Sequence, residues 1–242
     1  MLLVLLQLYI ILQKVSLFCA IFGIYSFIDK KNLQQRKQAF DNFMNEIPHS
    51  AIVYDYDSIY NSLGQYKLFI CGGDQIWNDC KIDQNIKIYT LQFVPQGMKK
   101  IAYAPSMAIL EATSEFKQIM SDGLNSLDAV SVREKKSISI LKSLTNKKIN
   151  IVADPVLLMS NSEWKGVARV PIKTDKYILC YLLGDSIECR RAVKKFAQKI
   201  HLPILTFPHI FLNVVRKCDL YFGDIHDYTS GPCEFIGLIS VC

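Results

Sequence analysis

The chain has 242 residues, half of them hydrophobic and 21% charged, which suffices for one large core or two smaller ones and excludes a disordered chain. Its 28 Lys and Arg outnumber 22 Asp and Glu for a net charge of +6, but the basic pairs are scattered at 30, 99, 135, 147, 190 and 194. Scattered charge reads as a solvated surface rather than a nucleic-acid stripe, so no nucleic-acid partner is expected. Eight cysteines, at 19, 71, 80, 180, 189, 218, 233 and 242, contain no CxxC pair, and His49, His201, His209 and His226 stand alone. That usage fits a reduced compartment in which thiols act as small hydrophobes, with no metal site.

Residues 1–28 are nearly all apolar, with Lys14 the only charge, and are long enough on paper to cross a bilayer. They lack the leading positive charge and small-residue cleavage site of a secretory signal, and Gln7, Gln13, Lys14 and Ser16 interrupt the run. A core helix and a membrane segment both stand as readings. The expected location is the cytoplasm, with residues 1–28 offering contact with its membrane face.

Residues 30–47 predict an amphipathic helix through Phe40, Phe43, Met44 and Ile47, closed by Pro48. "YKLFICGG" then reads as a short buried strand ending in glycine, and "KKIAYAPSM" as another. Phe116, Ile119, Met120, Leu124 and Leu127 line one face of the next helix. A strand at "DAVSVRE", a helix through Ile138, Leu141 and Leu144, and a strand at "INIVADPVLL" continue the alternation. Strands alternating with helices of this length predict an α/β fold with a parallel sheet covered on both faces. Periodicity lapses over residues 161–175, read as a linker between a domain at 29–160 and an incomplete one at 176–242. There "KYILCYLLGDS", "LPILTFP" and "CDLYFGD" are candidate strands, and "GPCEFIGLISVC" starts a helix. The helix between the first two should bury Val193, Phe196, Ala197 and Ile200, with Arg190, Arg191, Lys194, Lys195 and Lys199 outside.

In an open parallel sheet, ligands bind beyond the carboxyl ends of the strands. Three loops lie there: "GGDQIWN", "APSM" and "SVREK". In the first, Gly72 and Gly73 admit a close ligand, Asp74 and Gln75 donate or accept, and Trp77 offers a platform. The conformational alternative is a turn whose Asp caps the next helix. Ser106 stands in the second loop. Arg133, just past its strand, could grip a phosphate or carboxylate through two parallel hydrogen bonds, or pair with Glu134 or Asp128. "ADPVLL" and "NSEWK" read as a strand end and a helix start, without chemistry.

The blocks "YKLFICGGDQIWN", "LQFVPQGMKKIAYAPSM", "AVSVREKKSISIL", "VADPVLLMSNSEW", "KYILCYLLGD" and "GPCEFIGLI" resemble, in order and spacing, the polysaccharide pyruvyl transferase family. The resemblance implies two Rossmann-like halves facing a cleft, similar to the B-type glycosyltransferase architecture. It also implies transfer of pyruvate from phosphoenolpyruvate onto sugar hydroxyls as a ketal, with phosphoenolpyruvate as co-substrate, a glycan as acceptor and no cofactor. Such chemistry needs an anion grip, a proton donor and a base. Arg133, at the family's "SVRE" position, is the candidate grip. Asp74, at its "GSDQ" position, is the candidate for catalysis, and Gly72, Gly73, Gln75, Trp77 and Ser106 are expected to line the acceptor side.

The chain departs from the family pattern at three places. Gly73 replaces the serine of "GSDQ". No glycine- and asparagine-containing loop precedes the apolar run, and no histidine block follows the "GPxEF" helix. Two expectations stand together: a fragment of a transferase, or a non-catalytic, partner-dependent glycan-binding half.

Overall fold

A computed structural model describes residues 25–78, 84–109, 111–171, 176–211 and 214–240. The core or membrane segment expected at the amino terminus lies outside the described residues up to position 24, as do Cys19, Cys80 and Cys242. Strand β1 (Tyr25–Phe27) and helix α1 (Lys30–Glu46) come first. The chain divides into two compact units: residues 50–160, and a second that joins the chain up to His49 with Asn161 onward.

The unit of residues 50–160 alternates strand and helix: β2 (Leu68–Cys71), α2 (Gln84–Tyr89), β3 (Lys99–Ala102), α3 (Ser114–Ser126), β4 (Ala129–Val132), α4 (Lys135–Lys142) and β5 (Ile149–Ile151). Its four strands form one parallel sheet in the order β2-β3-β4-β5, so spatial order follows chain order. Helix α3 shows why the sequence folds this way. Thr113 accepts a hydrogen bond from the Phe116 amide at 3.3 Å, capping the first turn. Phe116, Met120 and Leu124, each four residues apart, are fully buried, and each contributes about 1.5–3 kcal/mol by leaving water. They pack with Trp77, Leu127, Val130, Val132 and Leu141 into one core. On β2 the burial alternates: Phe69 and Cys71 face that core, whereas Leu68 and Ile70 are exposed. A strand with one bare face is not the doubly covered strand that its unbroken apolar run suggests.

The second unit adds α5 (Asn161–Val167), β6 (Ile178–Cys180), α6 (Ile187–Ile200), β7 (Ile204–Thr206), β8 (Ile210–Phe211), β9 (Val214–Arg216), α7 (Lys217–Leu220), β10 (Ile225–His226) and α8 (Pro232–Ser240). Strands β10, β7 and β6 pair in that order as a parallel sheet, and β1, β9 and β8 form a separate antiparallel one. Tyr177, Leu205, Phe207 and Leu238 make one small core, and Cys180, Ala197, Ile204 and Phe222 another. One parallel sheet in each unit gives the α/β fold that the alternation predicts and the two Rossmann-like halves that the resemblance implies.

Two expectations fail in this unit for one reason. Arg190, expected outside, is only 6% exposed, and Asp219, within the candidate strand "CDLYFGD", is 1% exposed. They form a buried ion pair, and Arg190 also donates to the Gly184 and Ser186 carbonyls at 2.9 and 3.2 Å. Residues 217–220 therefore coil into one helical turn that presents Asp219 inward, and the strand beside β7 forms later, at Ile225–His226. With Arg190, Val193 and Ala197 setting the inward stripe of α6, Phe196 lies about 120° round the helix from Arg190 and is 53% exposed, and Ile200, also expected inside, is 38% exposed. Among the described residues, no helix is long and apolar enough to cross a membrane.

Candidate functional site

Because β2 to β5 run parallel, their carboxyl ends share one edge, and the loops that follow them meet there. The loop after β2 begins with Gly72 for a packing reason. A Cβ at this position would sit 2.2 Å from the Tyr103 carbonyl oxygen, where the chain leaving β3 passes. The Tyr103 amide donates to the Cys71 carbonyl at 2.9 Å, which holds the two strand ends at this spacing. Gly73 follows with φ of +129°, a conformation that side chains other than glycine's rarely adopt. The space for a ligand read into Gly72 is thus filled by backbone on its β3 side. Elsewhere Gly72 borders a cavity of about 320 Å³ whose walls are mainly apolar, among them Phe69, Ile76, Tyr89 and Phe93.

Ser106, in the loop after β3, ties the two loops together. Its amide donates to the Gly73 carbonyl at 3.0 Å, its carbonyl accepts from Trp77 at 3.2 Å, and its hydroxyl accepts from the Gln75 amide at 2.8 Å. The same hydroxyl donates to Asp74 Oδ1 at 3.2 Å. Ser106 is fully buried, so it positions the loop and does not line it. Three non-glycine residues here adopt left-handed backbone, Gln75, Ala104 and Ala108, with φ near +50°. Each costs on the order of 1 kcal/mol and persists because the surrounding bonds impose it. Trp77 is fully buried, and its indole N–H donates to the Tyr89 carbonyl at 2.9 Å. It is a core residue and not a platform for a ligand. Asp74 and Gln75 are exposed, and residues 74–77 form turns rather than opening a helix.

Arg133 follows β4 at the same edge and is 20% exposed in its side chain. Its guanidinium pairs with Asp74 through Nη2 and with Asp154 through Nη1, the latter at 2.7 Å, while Nε lies 3.8 Å from Glu134. Of the two sequence-derived partners, Glu134 is present at long range and Asp74 and Asp154 take the main contacts. The carboxylates are held unequally. Asp154 is 31% exposed; its Oδ1 accepts from the Val156 amide at 2.9 Å, capping the turn Pro155–Leu158, while its Oδ2 faces Arg133. Asp74 is 69% exposed, so its ion pair is the weakly held one. One cation stands among three acidic side chains, and of its two close partners Asp74 is the more exposed.

Asp154 is the residue that sequence reasoning missed. The "ADP" triplet reads as a strand end, yet an acid three residues past β5 belongs to the same edge as Arg133. Cys71, one residue from the loop, is not a nucleophile: burial pushes its thiol up to about 12. All four histidines lie outside residues 50–160. Among the described residues no group of His, Cys, Asp and Glu is arranged to hold a metal ion.

The structure thus brings Asp74, Gln75, Ser106 and Arg133 together, adds Asp154, and moves Trp77 into the core. In comparisons with known proteins, a family model described as polysaccharide pyruvyl transferase matches residues 7–240. No curated protein and no solved structure matches the chain. A match over nearly the whole length, across the loops that build this cluster, settles the family: the chain belongs to the polysaccharide pyruvyl transferases.

Proposed function

We propose that the chain transfers the pyruvyl group of phosphoenolpyruvate onto two hydroxyls of a sugar as a ketal, with Arg133 binding the donor and Asp74 serving the acceptor. The observation that supports this reading is the exchangeable ion pair at the sheet edge, in a chain of this family. Donor phosphate or carboxylate takes the Arg133 edge that Asp74 occupies, matching two oxygens to the guanidinium fork. Asp154 keeps the other edge and fixes the guanidinium plane. The displaced Asp74 carboxylate then accepts a proton from the sugar.

The reaction balances as follows. C3 of the enol gains a proton, leaving C2 cation-like; one hydroxyl adds to C2, the C2–O bond to phosphate breaks, and the second hydroxyl closes the ketal. The two hydroxyl protons are matched by the one gained at C3 and the one taken up with the leaving phosphate. Asp74 serves the first hydroxyl.

Calorimetric titration with phosphoenolpyruvate, alongside transfer assays on vicinal and 4,6-diol sugars, tests the roles. Arg133→Lys is expected to weaken donor binding about tenfold or more, because lysine lacks the fork. Asp74→Asn should leave donor binding intact or tighter, since it removes a competing negative charge, while lowering transfer. Equal losses of donor binding in both variants would refute this division. Donor binding without transfer to any sugar would favour a glycan-binding half.

A further inference from the structure

The second parallel sheet has a carboxyl edge of its own, and a guanidinium sits on it. Arg36, on α1, lies with its guanidinium carbon 4.6 Å from the ring centroid of Phe207, the residue that follows β7. Its electrostatic neighbours are Asp227, which follows β10, and Tyr181, which follows β6. One cation therefore faces the ends of all three strands, the place where ligands enter such sheets. Burial holds this guanidinium below its ordinary value, and Nη1 is shielded from solvent with no hydrogen-bond partner among the described residues. Stacking on an aromatic face holds the plane and leaves the in-plane N–H groups to a ligand.

Asp227 does not serve as that partner. Its Oδ1 accepts from the Thr229 and Ser230 amides at 3.0 and 2.9 Å and from the Thr229 hydroxyl at 3.4 Å, and its Oδ2 accepts from the Ser230 hydroxyl at 2.5 Å. The Gly231 amide is likewise taken by Glu234 at 3.0 Å. Asp227 is thus spent on its own loop, while Glu234 serves the Gly231 amide and Arg169, 4.0 Å from its Oε1. Beside them opens a cavity of about 240 Å³ lined by Asn32, Pro171, His226, Asp227, Tyr228 and Thr229. Asn32 precedes Arg36 by four residues on α1 and so shares its face. The imidazole of His226 is oriented by the Asp219 carbonyl, 3.0 Å from Nε2, and by stacking on Tyr228.

We infer that Arg36 and Asn32 form an oxyanion-binding site at the carboxyl edge of the second sheet, taking a phosphate or carboxylate group. The site needs nothing from Arg133 and stands or falls separately from the proposed transfer.

The test uses full-length protein carrying Arg133→Met, which removes the guanidinium at the edge of the first sheet, titrated with inorganic phosphate and, in a second arm, with acetate. Saturable binding of either anion is expected, and the tighter one names the group. Adding Arg36→Met should weaken it at least tenfold. Asn32→Asp, at a half-exposed helical position where folding is not at stake, should weaken it several-fold by placing a negative charge on the cavity wall. No binding of either anion, or affinity unchanged by Arg36→Met, overturns the inference. If circular dichroism shows Arg36→Met unfolded, unchanged affinity in Asn32→Asp overturns it instead.

Discussion

Gly72→Ala separates a packing role from a ligand-admitting role at the start of the site loop. An added Cβ would lie 2.2 Å from the Tyr103 carbonyl oxygen, and that oxygen is backbone with no rotamer to escape into. Restoring an ordinary contact requires the ends of β2 and β3 to part by about 1 Å. The 2.9 Å hydrogen bond from Tyr103 to Cys71 would then stretch to about 4 Å and be lost, at about 1 kcal/mol. Overpacking adds about 1–3 kcal/mol, while alanine's narrower unfolded ensemble returns about 0.5–1. The net expectation is a loss of about 1.5–3 kcal/mol. Trp77 reports it: fully buried in this unit, it becomes the sole indole once Trp164→Phe is introduced, so urea unfolding followed by fluorescence reads this unit alone. Gly64→Ala, with no atom within 4 Å of its Cβ, is the control and should be neutral or slightly stabilising. A Gly72→Ala protein as stable as the control would refute the packing argument and return Gly72 to the ligand.

Two further outcomes follow from buried groups elsewhere. Burial raises the Cys71 thiol from 9 to about 12, so between those pH values the unfolded chain loses a proton that the folded one keeps. Stability should therefore fall with rising pH at about 1.4 kcal/mol per unit from this group, and Cys71→Ala should flatten the decline in unfolding experiments from pH 9 to 11. In the second unit, Asp219→Ala strands the Arg190 charge in a site where the two residues are 1% and 6% exposed, and should cost about 3–5 kcal/mol. Combining it with Arg190→Met should restore most of that in thermal unfolding. Additive losses would mean that the pair is not the coupled unit described.

Much of the fold was legible because its helices and strands carry their own periodicity. The residues four apart in α3 follow from burial on one face, which local sequence encodes, and the alternation of short strands with helices marks out β2 to β5. What escaped depends on partners far along the chain. Arg190 reads as one of several cations on α6, and only Asp219, 29 residues later, draws it inside. The same partner turns a candidate strand into a helical turn. At the site, Asp74 and Arg133 were visible as polar residues beyond strand ends, but their separation of 59 residues hid that they pair. Trp77 looked like a platform because an indole in a glycine-rich loop suggests one; its N–H finding the Tyr89 carbonyl took it inward instead.

The three hydrogen bonds between Ser106 and main-chain groups of the loop after β2 bear on the thermodynamics of recognition. A loop that must be ordered by its ligand charges that ordering against affinity, on the order of 0.5–1.5 kcal/mol for each side chain immobilised. Here the backbone beneath Asp74 is held before any ligand arrives, so the entropic penalty is confined to the Asp74 and Gln75 side chains. Binding at this edge should then proceed with little rearrangement of the main chain, and in the transfer proposed above discrimination among sugars would fall to how their hydroxyls meet a carboxylate whose support does not move.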